Sequence, residues 1–256
     1  MTPTIKTRIW DESPDTRSAF AARAIRLSGF DYFDDLIKHA GWADLIWLLF
    51  THEPPTAQQR ALFEQLAVSL ANPGPRDPMV HAAMCGGIGG SHPAASLMAA
   101  LAVASGDQGG SADLVRAMAA WADAGIDTDQ LSSALAEQAD TDGTWPGFSP
   151  QLHFTPEVVR QCLNALCLNP LATHLRCLRD AEPVLSAHCG RGLSLTGVAA
   201  AACIDLGLSP EQAQAIHLLM RLPGALAHAL EQSGKSYRDF PFFTLSEAPL
   251  AEPGHV

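Results

Sequence analysis

The sequence predicts an all-α fold with a large helical domain and a small helical subdomain, and three observations carry that expectation. Apolar residues recur at helical spacing from about Asp31 onward. No run of alternating β-branched and polar residues resembles a strand. Pro- and Gly-rich punctuation separates the periodic stretches, as at Glu53-Pro54-Pro55-Thr56 and Asn72-Pro73-Gly74-Pro75. A chain of 256 residues that is 47% hydrophobic is long and apolar enough to bury a core, so disorder is not expected.

The elements follow in order. Phe30 to Ile37 leads into a short helix, and Gly41-Trp42-Ala43-Asp44 opens a second, with Leu45, Ile46, Leu48, Leu49 and Phe50 as its apolar residues. Two prolines at 54 and 55 stop it, because proline cannot continue the hydrogen-bond ladder. Thr56 is an N-cap for a helix from Ala57 to Ala71. Met79 to Ala104 is rich in Gly, Ala and Ser, which suits a buried pair of closely approaching helices. Helices are expected over Ser111–Ala124 and Thr128–Ala139, then a long loop from Asp140 to Phe154 whose length and Trp145 make it a functional candidate. Thr155-Pro156-Glu157 caps a helix to about Cys167, and another spans about Leu171 to Leu178, before a loop at Ser186–Gly192. The last helices are expected at Leu195–Leu206, Ser209–Arg221 and Pro223–Gln232, with a Pro-rich, loose tail after Phe243. The domain boundaries expected are 1–140 with 190–256 for the large domain, and 141–189 for the subdomain.

Charge and composition exclude several classes of function. A net charge of -11, a pI near 5.2 and no basic run argue against a nucleic-acid or anionic-lipid partner, which would need clustered Lys and Arg. The N-terminus lacks the apolar core of a signal peptide, and no apolar stretch approaches the roughly 20 residues of a membrane span, so a cytoplasmic protein is expected. Six cysteines form no CxxC pair and most sit in Ala- and Leu-rich surroundings, which favours neither zinc nor disulfides. No GxGxxG, P-loop or metal-ligand spacing is present.

Four collinear blocks resemble the citrate synthase superfamily, which includes citrate synthases, citryl-CoA lyases and the C-terminal module of ATP-citrate lyase. GFDYFDDLIKHAGWADLIWLLFTHEPPTAQQRALFEQL resembles its opening block, and GLSLTGVAAAACIDLGLSPEQAQAIHLLMRLPGALAHALEQ its ending. Between them, SGDQGGS is similar to the "G-D-x-x-G-G-A" turn of the lyase branch, and PGFSPQLH to its "G-F-G-H" loop. The resemblance covers about residues 18 to 243 and rests on the order of the blocks. It implies a citrate synthase-like helical fold, a homodimer, and carbon–carbon bond chemistry on acyl-CoA esters with no tightly bound cofactor.

Such chemistry needs a base for the α-proton, a donor for the enolate oxygen and cations for substrate carboxylates. His81 precedes the Gly109-Gly110 turn by 28 positions, a spacing similar to that of the family's substrate-binding histidine; the alternative is a first-turn histidine with no role. Gln108 falls at or beside the family's enolate-stabilising histidine, where an amide can donate a hydrogen bond but cannot shuttle a proton; otherwise it is a turn residue. Pro150 stands where a second catalytic histidine belongs, and His153 lies three residues on, either reaching the site through a shifted loop or exposed to solvent. Thr196 replaces the family's aspartate base in Leu193-Ser194-Leu195-Thr196-Gly197, and its hydroxyl is too weak an acid to act as an ordinary base. Arg221 fits the carboxylate-binding arginine, and Arg238 resembles the arginine that reaches the neighbouring subunit's site; either is otherwise a surface charge. Arg191 and Lys235 are the cations nearest the family's CoA segment, whose basic element is missing here.

The resemblance therefore implies an enzyme making or cleaving a C–C bond in a carboxylate-bearing acyl-CoA, with a coenzyme A thioester as substrate. Two alternatives stay open: a catalytically degenerate paralogue that binds a polycarboxylate or a partner, and a repurposed CoA-independent enzyme.

Overall fold

The computed structural model describes residues 7–240, so the tail expected after Phe243 lies outside the described residues. The chain begins with an antiparallel sheet in the order β1 (Trp10–Asp15), β2 (Ser18–Leu27), β3 (Phe30–Asp31). The sequence reading missed this sheet for a physical reason. Almost every residue of β1 and β2 is exposed, so neither strand buries one face and neither acquires a period-two apolar pattern. Backbone pairing holds it instead, in the register Trp10↔Leu27 and Arg26↔Asp31, with an irregularity at Pro14. The sheet leads into a π-helical turn, Tyr32–Leu36, capped by the Asp31 carboxylate, which accepts from the amides of Phe33 and Asp34.

The rest is helical, as the sequence predicts. The short α1 (Ile37–His39) is followed by α2 (Trp42–Thr51) and α3 (Ala57–Leu70), the latter opened by a reciprocal Thr56–Gln59 cap. Then come α4 (Pro78–Ile88), α5 (Pro93–Ala104), α6 (Ser111–Ala124) and α7 (Thr128–Glu137). A long loop leads to α8 (Glu157–Leu166), α9 (Thr173–Cys189), α10 (Leu195–Asp205) and α11 (Pro210–Gln232).

Two boundaries differ from expectation. The helix expected to stop near Leu178 continues to Cys189, because Leu175, Leu178, Ala181 and Leu185 keep one face buried while Pro183 sits on the open side. The two helices expected on either side of Pro223 are one, α11. There the amide of Gly224 donates to the carbonyl of Ala71 at the end of α3, at 2.7 Å, so packing supplies a partner outside the helix next to the break.

One large apolar core joins α2, α3 and α6 to α11, and it includes Val159, Leu163, Leu175 and Leu185 from residues 141–189. A second, small-residue core (Met79, Ala83, Ala100, Ala104, Ala225, Ala229) joins α4, α5 and α11. Gly87 faces the carbonyl of Ala229 and Gly86 faces Ser96, so closely that a Cβ at either glycine would overlap its neighbour. Close approach of backbones is what this Gly/Ala-rich segment provides. Among the described residues, no helix is long and apolar enough to cross a membrane.

Candidate functional site

Three separate segments meet at the start of α10. Ser194 caps this helix and also donates to the carbonyl of Gly147, from its amide at 3.0 Å and from its hydroxyl at 2.8 Å. Thr196, two residues on, donates its hydroxyl to the carbonyl of Gly109 at 3.1 Å. Asp113, in the first turn of α6, closes the ring: its carboxylate accepts from the amide of Gly147 at 3.1 Å and from Arg116 at 3.2 Å, and the amide of Gly109 also donates to it. Gly147 adopts φ +80° and lies against the Cα of Gly197, an approach that a side chain at either position would prevent. The Gly109 turn, the 144–150 loop and the start of α10 are thus locked together, with Asp113 as the shared acceptor.

Gln108 and Pro150 line one tight crevice, too narrow to hold a water molecule, together with Asp113, Arg116, Trp145 and Phe148. Asp113 is 3% exposed. Burial pushes its carboxyl up to about 6, against the opposing pull of the Gly147 amide and the Arg116 charge. Thr196 is buried, and its proton is committed to the Gly109 carbonyl, so in this geometry it acts as a backbone donor.

A second cluster lies where α11 crosses the start of α4. Arg221 is buried and donates to the Asp77 carboxylate at 2.6 Å, while the same carboxylate group caps α4 through the amides of Met79 and Val80. Half-buried His81 stands one turn further along α4, its ring 5.7 Å from that of Phe240. One turn before Arg221 on α11, His217 is 2% exposed, and burial followed by the Arg221 charge drives its pKa down to about 3. Gln214 donates to the hydroxyl of Ser111 at the start of α6, at 3.4 Å. Gln214, His217 and Arg221 share one stripe of α11, which runs from the start of α6, next to the Gly109-Gly110 turn, to the start of α4.

The candidate residues therefore fall in two groups bridged by that stripe: Gln108, Pro150 and Thr196 in one, His81 and Arg221 in the other. His153 is elsewhere in its hydrogen bonding. It is exposed, with Nδ1 2.9 Å from the carbonyl of Gly190, and joins its own loop to the end of α9. Arg238 is exposed on a single 3-10 turn, Tyr237–Asp239, two residues before the Phe240 that packs on His81. Arg191 is half-buried, and Lys235 pairs with Glu231 at 3.2 Å.

Sequence reasoning missed Asp77, Asp113 and His217. Asp77-Pro78 is a readable N-cap followed by a first-turn proline. His217 sits four residues before Arg221, a spacing that puts both on one helix face. Nothing in the sequence marks Asp113 beyond its place in the turn after Gly110. Among the described residues, Nη1 of Arg221 and Nδ1 of His217 are buried with no hydrogen-bond partner, and no group of three His, Cys, Asp or Glu could hold a metal ion.

No family model matches the sequence, and no curated protein matches it either. Solved structures do match. A citryl-CoA lyase from Hydrogenobacter thermophilus superposes with a TM-score of 0.71 at 18% identity, over 97% of this chain and 98% of that one. An ATP citrate lyase from Methanothrix soehngenii, in complex with citrate and coenzyme A, gives 0.69 at 19% identity over 96% of this chain. A substituted ATP citrate lyase from Methanosaeta concilii, in complex with (3S)-citryl-CoA, gives 0.71 at 18% identity, also over 96%. This chain spans 43% of the length of each of these two larger proteins. At such identities the likeness is one of fold: the chain has the helical architecture of these lyases.

Proposed function

We propose that this protein acts on a carboxylate-bearing acyl-CoA, cleaving or forming a carbon–carbon bond in the manner of a citryl-CoA lyase. The observation that carries the reading is the α11 stripe, which joins the Gly109 turn, Thr196 and the 144–150 loop at one end to Asp77, His81 and Arg221 at the other. In this reading Arg221 holds a substrate carboxylate through the N–H groups that Asp77 leaves open, and His81 and the Gln108 amide donate to substrate oxygens. A coenzyme A thioester is the substrate; of the ATP citrate lyases of the same fold, one is in complex with (3S)-citryl-CoA and the other with citrate and coenzyme A. Arg238 reaches the site of a second copy, His153 lies on the loop over the crevice, and residues 141–189 form a subdomain that closes on the ligand.

The protein works in the cytoplasm as a homodimer. What supports a dimer is α5, which carries no charged residue over Pro93–Ala104 and leaves Ala94, Ala95, Met98, Ala99, Ala102 and Val103 exposed along one side. An uncharged helix with an open apolar face is a helix with a missing neighbour.

A second reading, a degenerate paralogue that binds a polycarboxylate without turning it over, draws on two contacts. Asp77 already neutralises Arg221, and Thr196 spends its hydroxyl on a backbone carbonyl. Incubating the purified protein with (3S)-citryl-CoA and related 3-hydroxy-3-carboxyacyl-CoA esters, and following release of the shorter acyl-CoA, separates the two. Turnover that falls at least tenfold in Arg221→Met supports the enzyme. Citrate binding without turnover, and without exchange of acyl-CoA α-protons in deuterated water, supports the second reading.

A further inference from the structure

His217 carries a group that nothing inside the protein uses. It is 2% exposed on α11, and its Nδ1 is buried without a hydrogen-bond partner among the described residues. One turn away on the same helix face, Nη1 of Arg221 is in the same condition. Leaving a buried polar atom unpaired carries its full desolvation cost, so two on neighbouring turns of one helix need an explanation. Core packing does not supply it, since an apolar side chain of similar size would avoid the cost at position 217. Its neighbours make a ligand the consistent answer. Gln214, on one side along the stripe, reaches the start of α6 and so the Gly109-Gly110 turn; Arg221, on the other, reaches Asp77 and the turn of α4 that carries His81.

We propose that His217 is a substrate-contacting residue: its Nδ1 and Nη1 of Arg221 together bind one carboxylate, or carboxylate-like pair of oxygens, of the ligand. The inference rests on the carboxylate reading above and adds to it the residue that sets where that group sits. Arg221 donates through Nη1, and His217 donates from Nδ1 in the tautomer that carries its proton there. Asp77 holds the guanidinium from its other side, so the ligand completes the arginine's hydrogen bonding and leaves the Asp77 contact in place. This answers the objection that Asp77 has already consumed Arg221: one terminal nitrogen of the fork is bound internally, and the other is buried and unpaired, one helical turn from a histidine nitrogen in the same state. Two donors one helical turn apart, one of them a charged guanidinium, favour an anionic group that offers two acceptor oxygens.

Calorimetric titration with citrate tests this on the full chain and two variants. Asparagine places an amide nitrogen close to the position of histidine Nδ1, whereas phenylalanine fills the same space with no polar atom. His217→Phe is expected to weaken citrate about tenfold or more, the loss of one buried hydrogen bond to a charged group. His217→Asn is expected to stay within about threefold of the parent protein on the same physical ground. In the parent protein labelled with 15N-histidine, citrate is expected to shift the Nδ1 resonance of His217. If citrate binds the parent and His217→Phe equally well, with the Nδ1 resonance unmoved, this inference is overturned while the carboxylate reading stands. If the parent binds neither citrate nor citryl-CoA, the carboxylate reading fails and this inference falls with it. If both variants lose binding and both retain the parent's unfolding midpoint, the role of Nδ1 is refuted.

Discussion

Two buried titrating groups, His217 and Asp113, push the acid stability of this fold in opposite directions, and separating them is a sharp test of the geometry. His217 ionises at 6.5 in an unfolded chain but at about 3 in the fold, because burial and the Arg221 charge disfavour the imidazolium. Its folded pKa is lowered, so its contribution to stability is complete above 6.5 and is lost as pH falls toward 3. Between pH 7 and pH 5 that loss is about 2 kcal/mol. Asp113 does the reverse: burial raises its carboxyl from 3.8 to about 6, so the folded protein takes up this proton first. Its contribution is complete below 3.8 and is lost as pH rises through 6, which makes the same acidification stabilising by roughly 1 kcal/mol. The parent protein should therefore lose only about 1 kcal/mol from these two groups. Asp113→Asn should lose about 2 kcal/mol, and His217→Phe should gain roughly 1 kcal/mol. Urea unfolding at pH 7 and pH 5, with each variant referred to its own pH 7 value, cancels the baseline cost of the substitution and the common effect of the other histidines. Equal pH responses in all three proteins would refute the burial-driven shifts and the interior placement that causes them.

Further outcomes follow from the packing and the ring. Gly87→Ala drives a methyl into the carbonyl of Ala229 where α4 meets α11, and should cost about 1–3 kcal/mol, read as a lowered thermal midpoint. Thr196→Val removes the donor to the half-buried Gly109 carbonyl and should cost about 1–3 kcal/mol in urea unfolding, while citrate affinity in calorimetry stays unchanged. If this variant abolishes turnover in a protein of unaltered stability, Thr196 takes part in the reaction. Met98→Glu puts a charge in the middle of the open face of α5, and sedimentation velocity should show monomers where the parent shows dimers; dimers in both would place the contact on another surface.

Much of the helical framework was legible because its signals are local. Thr56 with Gln59, Ser209 with Gln212, and the Gly/Ala-rich run through α4 and α5 announce their structure within a few residues. The order of the blocks carried the resemblance that the superpositions bear out as a fold. Pro223 misled for the same local reason. A proline reads as a stop, whereas whether a helix ends there depends on what its continuation buries and on who takes up the hydrogen bonds, as Ala71 does for Gly224. The three-stranded sheet was invisible because it buries no face and so leaves no periodic trace.

The candidate site divides along the same line. The family resemblance singled out His81, Gln108, Thr196 and Arg221 one at a time, and chemistry made Thr196 a weak base whatever surrounds it. Only the folded chain decided that Thr196 donates to Gly109, that Asp77 holds one side of Arg221, that Asp113 joins the Gly109 turn to the 144–150 loop, and that His217 lies in the interior between the two groups. Each of these facts, save the Asp113 link to its own turn, pairs residues dozens to more than a hundred positions apart. The sequence pattern reports which side of an element is buried. Which polar atoms find partners inside, and which are left open for a ligand, is set by long-range packing that no local pattern encodes.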